Sequence, residues 1–128
     1  MRAIARVSIT VLLCTVFAAG ADLTGTWTGS ITPDGRNAEP LRFTIVQDGS
    51  KITGTGGPSE VEQYAIQNGQ VKDGRITLQV MNKDRTFSFD LVVKGDELSG
   101  KAQLERGGEI RGTATVSLRQ EKKSGTRD

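Results

Sequence analysis

The stretch Thr86–Lys94, TFSFDLVVK, alternates without a break. Phe87, Phe89, Leu91 and Val93 fall on one side, and Thr86, Ser88, Asp90 and Val92 on the other. Side chains that alternate at period two belong to a strand with one face in a core and one in water. The same period recurs along the chain. Leu41, Phe43 and Ile45 alternate with Arg42 and Thr44, and Ile76, Leu78 and Val80 with Thr77, Gln79 and Met81. Leu98, Gly100, Ala102 and Leu104 alternate with Ser99, Lys101, Gln103 and Glu105. Ile110, Gly112, Ala114, Val116 and Leu118 alternate with Arg111, Thr113, Thr115, Ser117 and Arg119. From Asp22 onward no segment sustains a 3.6-residue repeat, so the chain reads as all-β and antiparallel.

The breaks between runs are turn dipeptides: Asp48-Gly49, Asn68-Gly69, Asp73-Gly74, Gly95-Asp96 and Gly107-Gly108. Such pairs close tight hairpins. Runs and turns together predict about eight strands, near 24–32, 41–47, 51–57, 61–67, 70–82 (in one piece or two), 85–94, 97–105 and 109–120. The segments QDGSKITG (47–54), KDGRITLQ (72–79) and KGDELSGK (94–101) resemble one another. Either a hairpin unit is repeated, or similar turns have converged on similar residues. A chain of short hairpins over one apolar face leaves two exposed sheet edges, and closing the sheet removes both. An eight-stranded antiparallel up-and-down β-barrel is the expected fold. An open sandwich is the alternative, but it requires long crossovers that the short turns do not provide.

What precedes Asp22 is different. Arg2 and Arg6, a mostly apolar run over 7–19, and the small residues Ala19-Gly20-Ala21 have the three parts of a secretory signal peptide, with cleavage before Asp22. The apolar run is too short for a membrane span, so none is expected after cleavage. The chain carries 17 Lys and Arg against 15 Asp and Glu. Since Arg2 and Arg6 fall in the leader, the remainder has no formal net charge, and nothing points to a nucleic-acid partner. The single Cys, Cys14, also lies in the leader. A secreted domain without disulfides suits the bacterial envelope, periplasmic or extracellular. The region 22–120 is expected to form one domain. The tail 121–128, EKKSGTRD, lacks apolar residues and is expected to be disordered.

The only tryptophan, Trp27, stands in Gly25-Thr26-Trp27 on the first expected strand. A Gly-x-Trp at the head of an eight-stranded meander resembles the calycin group of lipocalins, fatty-acid-binding proteins and avidins. The resemblance implies that Trp27 plugs one barrel end and that a basic residue of the last strand covers it. Arg119 is the first candidate for that cover and Arg111 the second, although alternation places Arg119 outside. The lipocalins' second motif is absent, and one tryptophan does not make an avidin-like biotin site. Small secreted protease inhibitors share this barrel and insert an N-terminal segment into a protease; Asp22-Leu23-Thr24 would be its counterpart.

The chain has no His, and no Cys follows the leader, which removes the commonest general base, thiol nucleophile and metal ligands. No catalytic residue, metal site or cofactor is expected. The carboxylates Asp84 and Asp90 fall in turn or outward positions. The inward rows hold Gly25, Gly29, Gly54, Gly56, Gly100, Gly112, Ala102 and Ala114 beside Trp27, Phe43, Phe87 and Phe89. This mixture predicts a largely filled barrel with a shallow apolar pocket at one mouth. Because charges fall mostly on outward rows, a ligand there should be small and apolar or uncharged. Phe43, Phe87 and Phe89 would contact it, with Tyr64, Gln47 and Asn82 as polar partners. The alternative is a protein-interaction module, either inhibitor-like or related to accessory domains of secreted hydrolases. That module would use the two longest loops, over 35–40 and 55–62.

Overall fold

The structure, a computed structural model, describes residues 22–121. The leader 1–21 and all but the first residue of the charged tail lie outside the described residues, and so do the expectations placed on them. Eight strands follow in order: β1 (Gly25–Pro33), β2 (Glu39–Asp48), β3 (Lys51–Gly57), β4 (Tyr64–Lys72), β5 (Arg75–Asn82), β6 (Arg85–Lys94), β7 (Glu97–Arg106) and β8 (Glu109–Gln120). Each pairs antiparallel with the next, and β1 pairs with β8, so the sheet is a closed barrel. No described residue is helical.

Turn chemistry sets the hairpins. Asp73-Gly74 and Gly107-Gly108 have positive φ at both central residues, whereas Gly49, Lys83 and Gly95 have it at the first only. These are the type I′ and type II′ patterns, whose twist matches that of paired strands. The first expected turn shifts by one residue, since Asp48 pairs with Lys51 across Gly49-Ser50.

Asn68-Gly69 is not a turn. β4 runs through it, and the register against β5 slips between Gln67 and Gln70. Asn68 takes the left-handed conformation at φ 53°, which asparagine tolerates, and the extra residue forms a β-bulge. The expected strand 61–67 and the first part of 70–82 are therefore one strand. A second bulge, at Arg111, brings Ile110 opposite Glu105 and turns it outward, against its expected inward place; it is 59 % exposed.

The interior is apolar. Trp27, Phe43, Ile45, Ile52, Ile76, Leu78, Leu91, Leu98, Val116 and Leu118 are all buried, and no polar or charged residue among those described is. Phe43 and Phe89 meet edge to face in mid-barrel, with centroids 5.1 Å apart and planes at 85°. Such a pair contributes about 0.5–1.5 kcal/mol beyond its buried area. Gly56 makes room for it: a Cβ there would fall 2.0 Å from Cε1 of Phe43.

The two ends differ. One carries the turns β2–β3, β4–β5 and β6–β7, each two residues long, together with the start of β1 and the end of β8. The other carries the loops 34–38 and 58–63 and the β5–β6 and β7–β8 turns.

Candidate functional site

At the tight-turn end the barrel is sealed. The chain before β1 folds across it, and Leu23 is buried. The Trp27 Nε1–H donates to the Leu23 carbonyl at 2.9 Å, so the indole's one polar group is satisfied without water. Gln47 continues the inward row of β2 and ties the same segment. Its Oε1 accepts from the Leu23 N–H at 2.8 Å, its Nε2 donates to the Gly49 carbonyl, and its own N–H donates to Thr24 Oγ1. The Gln120 side chain, opposite Trp27 in register, donates to the Thr24 carbonyl at 3.1 Å. Asp22 accepts from the Thr24 N–H, which lowers its carboxyl pKa below the ordinary value.

Arg119 takes no part in this seal. It lies on the outer wall, as alternation dictates, in ion pairs with Asp96 and Glu97. Arg111 pairs with Glu109 at the other end. The last-strand residue that reaches the tryptophan end is Gln120, one step beyond Arg119 on the inward row. Gln47, expected as a ligand contact, belongs to the seal and not to a pocket.

At the loop end the barrel is open. A cavity of about 240 Å³ enters it between Ile31, Leu41, Phe43, Val80, Phe87 and Phe89. The Phe43–Phe89 pair forms its floor, and the strand-end residues Pro33, Glu39 and Pro40 and the loop residues Pro58 and Glu62 flank it. Five of the six expected ligand residues line this one space: Phe43, Phe87, Phe89, Tyr64 and Asn82. The volume exceeds the ~150 Å³ of an apolar cavity that accepts benzene and falls below the ~300 Å³ where drug-sized pockets begin.

The rim is polar along one arc. Tyr64 (β4), Asn82 (β5) and Arg85 (β6) sit on three neighbouring strands, each on its inward row. The Tyr64 hydroxyl donates to Glu62 Oε2 at 2.7 Å, and this bond raises the phenol pKa above its ordinary value. Neither the Asn82 amide nor the Arg85 guanidinium has a side-chain hydrogen bond or ion pair among the described residues. Arg85 is the one cation lining the cavity. The expectation that charges fall outward describes the barrel wall and fails at the rim. The signal was present in the sequence: the row Leu91, Phe89, Phe87 reaches Arg85 in one more step.

Two other places carry polar groups. Asp84 is ion-paired to Arg106, whose bond lowers its carboxyl pKa, and Asp90 is paired to Arg75 on the outer wall. On the outside of β4–β7 an open groove is lined by Asn68, Thr77, Gln79, Ser88, Lys101 and Gln103. Its amides satisfy each other, Asn68 donating to Gln79 and Gln79 to Ser88. No group of three His, Cys, Asp or Glu side chains among the described residues is arranged to hold a metal. No described helix is long and apolar enough to cross a membrane.

The fold and cavity define a class: a small closed eight-stranded β-barrel, sealed at one end and open at the other. Comparison with protein-family models, curated proteins and solved structures finds no significant match to this chain.

Proposed function

We propose that this protein is a non-catalytic binding protein of the calycin-like kind, exported to the bacterial envelope, which takes a small, mainly apolar ligand into the open end of its barrel. The observation that carries this reading is the contrast in filling. The tight-turn end is packed with Trp27, Leu23, Ile52 and Leu98, whereas the loop end keeps an apolar cavity of about 240 Å³ with convergent polar groups at its rim. Concave apolar space with a few placed polar groups is the usual form of a small-molecule site.

Native mass spectrometry of the protein purified from its source tests this. A co-purifying small molecule is expected, and it should be lost from an Ile31→Trp variant, whose larger side chain fills the mouth. Absence of any bound molecule from the wild-type protein contradicts the reading.

The alternative, a protein-interaction module, is supported by Val61, which stands 93 % exposed on the loop 58–63. An inhibitor-like use of the N-terminal segment is less well supported, because Leu23 is 2 % exposed and held by the seal. A Val61→Ser variant that still binds the small molecule but no longer retains a protein partner would favour the module.

A further inference from the structure

We propose that the cavity selects a short-chain or single-ring carboxylic acid, its carboxylate held by Arg85 and Asn82 on the β5–β6 hairpin. This rests on the reading of the cavity as a binding site, and it replaces the uncharged ligand that strand alternation alone suggests.

Seven arginines lie among the described residues. Arg42, Arg75, Arg111 and Arg119 are each ion-paired on the outside of the barrel, and Arg106, opposite Arg85 in register, is held by Asp84. Arg36 sits in the exposed β1–β2 loop. Arg85 alone combines an inward row, a place on the cavity rim and the lack of an ion-pair partner. Its neighbour in register is Asn82, the two residues flanking the Lys83-Asp84 turn. Asn82 is half-buried, lines the same rim and has an unengaged amide. The hairpin therefore presents a guanidinium fork and an amide N–H₂ side by side above an apolar floor.

Donors that no protein acceptor engages are available on the rim to an acceptor of the ligand. A planar carboxylate matches the guanidinium fork and makes the stronger, charge-assisted bond. A phosphate dianion fits less well, since a single cation faces it and Glu39 and Glu62 also stand on the rim. Of the nearby acids, Glu62 accepts from the Tyr64 hydroxyl, and Asp84, beside Arg85 in the turn, is paired with Arg106. The cavity, larger than the ~150 Å³ apolar cavity that accepts benzene, suits an apolar body of one ring or a short chain.

The test compares acids with their neutral amides of the same shape. Hexanoate and phenylacetate are titrated against hexanamide and phenylacetamide by calorimetry, with palmitate as the size control. The acids should bind about tenfold or more tightly than the amides. Arg85→Gln should abolish that preference and leave amide binding in place, and Asn82→Asp should weaken acid binding by adding a like charge. Glu62→Gln should strengthen acid binding only. Arg85 is exposed, and unchanged thermal unfolding of Arg85→Gln shows that the fold is intact. Equal binding of acids and amides, or an acid preference that survives Arg85→Gln, overturns the carboxylate assignment and leaves the cavity reading standing. Binding of palmitate as tight as that of hexanoate overturns the size limit. Binding of none of these probes overturns both readings.

Discussion

The two ends of this barrel are built from the same alternating strands and yet do opposite things. At the tight-turn end, three two-residue turns draw the strands together, and Leu23 and Trp27 occupy the remaining space. At the loop end, only two of the four connections are two residues long, and the other two have five and six residues. The inward rows there finish in Asn82, Arg85 and Tyr64, whose polar ends stay at the water boundary. The strand pattern thus determines which residues face inward. Connection length and the chemistry of the last inward residue determine whether an end closes.

Substitution of one inward aromatic at each end sharpens this contrast. Trp27→Ala should cost about 3–5 kcal/mol in urea unfolding, the range for a buried aromatic truncated in a packed core. Phe87→Ala, at the half-buried wall of the cavity, should cost less than half of that, because one side of the ring already lacks packing partners. Equal losses at the two positions would break the comparison. Leu23→Ala comes next, at about 2–4 kcal/mol, since it removes a buried side chain from the seal. If Leu23→Ala behaves as a surface change, within about 0.5 kcal/mol, the N-terminal segment is not a seal.

Gly56→Ala acts between the two ends. The added Cβ meets the Phe43 ring, not backbone, so the ring must swing toward the cavity. The expected cost is about 1–3 kcal/mol, with a loss of cavity volume visible as weaker ligand binding. Unchanged binding would show that the Phe43–Phe89 floor is not the bottom of the site.

The smallest effect is spectroscopic. Tyr64 is the only tyrosine, so phenolate absorbance reports it alone. Its bond to Glu62 favours the neutral phenol, placing its ionisation above the ordinary value near 10. The associated stabilisation is present below the unfolded value and lost as pH rises through the folded one. Glu62→Ala should move the titration down. No movement would mean that the rim bond does not persist in solution.

Much of this architecture was legible in the sequence. Period-two rows and glycine-containing dipeptides were enough for eight strands and closure, because each is a local consequence of backbone geometry. Asn68-Gly69 misled because a left-handed Asn serves a bulge as well as a turn, and only the partner strand decides between them. Ile110 misled for the same reason: one extra residue, Arg111, reverses the parity of everything before it. In the site, the aromatic floor was readable from the inward rows, and Tyr64 and Asn82 from their ends. Gln47 was misplaced because alternation says that a side chain points inward but not toward which end. Arg119 was drawn inward by the resemblance, whereas its own strand parity placed it outside, where Asp96 and Glu97 hold it.

An NMR titration of the protein with phenylacetate distinguishes a sealed end from a binding end. Shifts are expected at Leu41, Phe43, Tyr64, Val80, Asn82, Arg85, Phe87 and Phe89, with Leu23, Trp27, Ile52 and Leu98 unmoved. Shifts centred on Trp27 and Leu23, or none at saturating ligand, would contradict this assignment of the two ends.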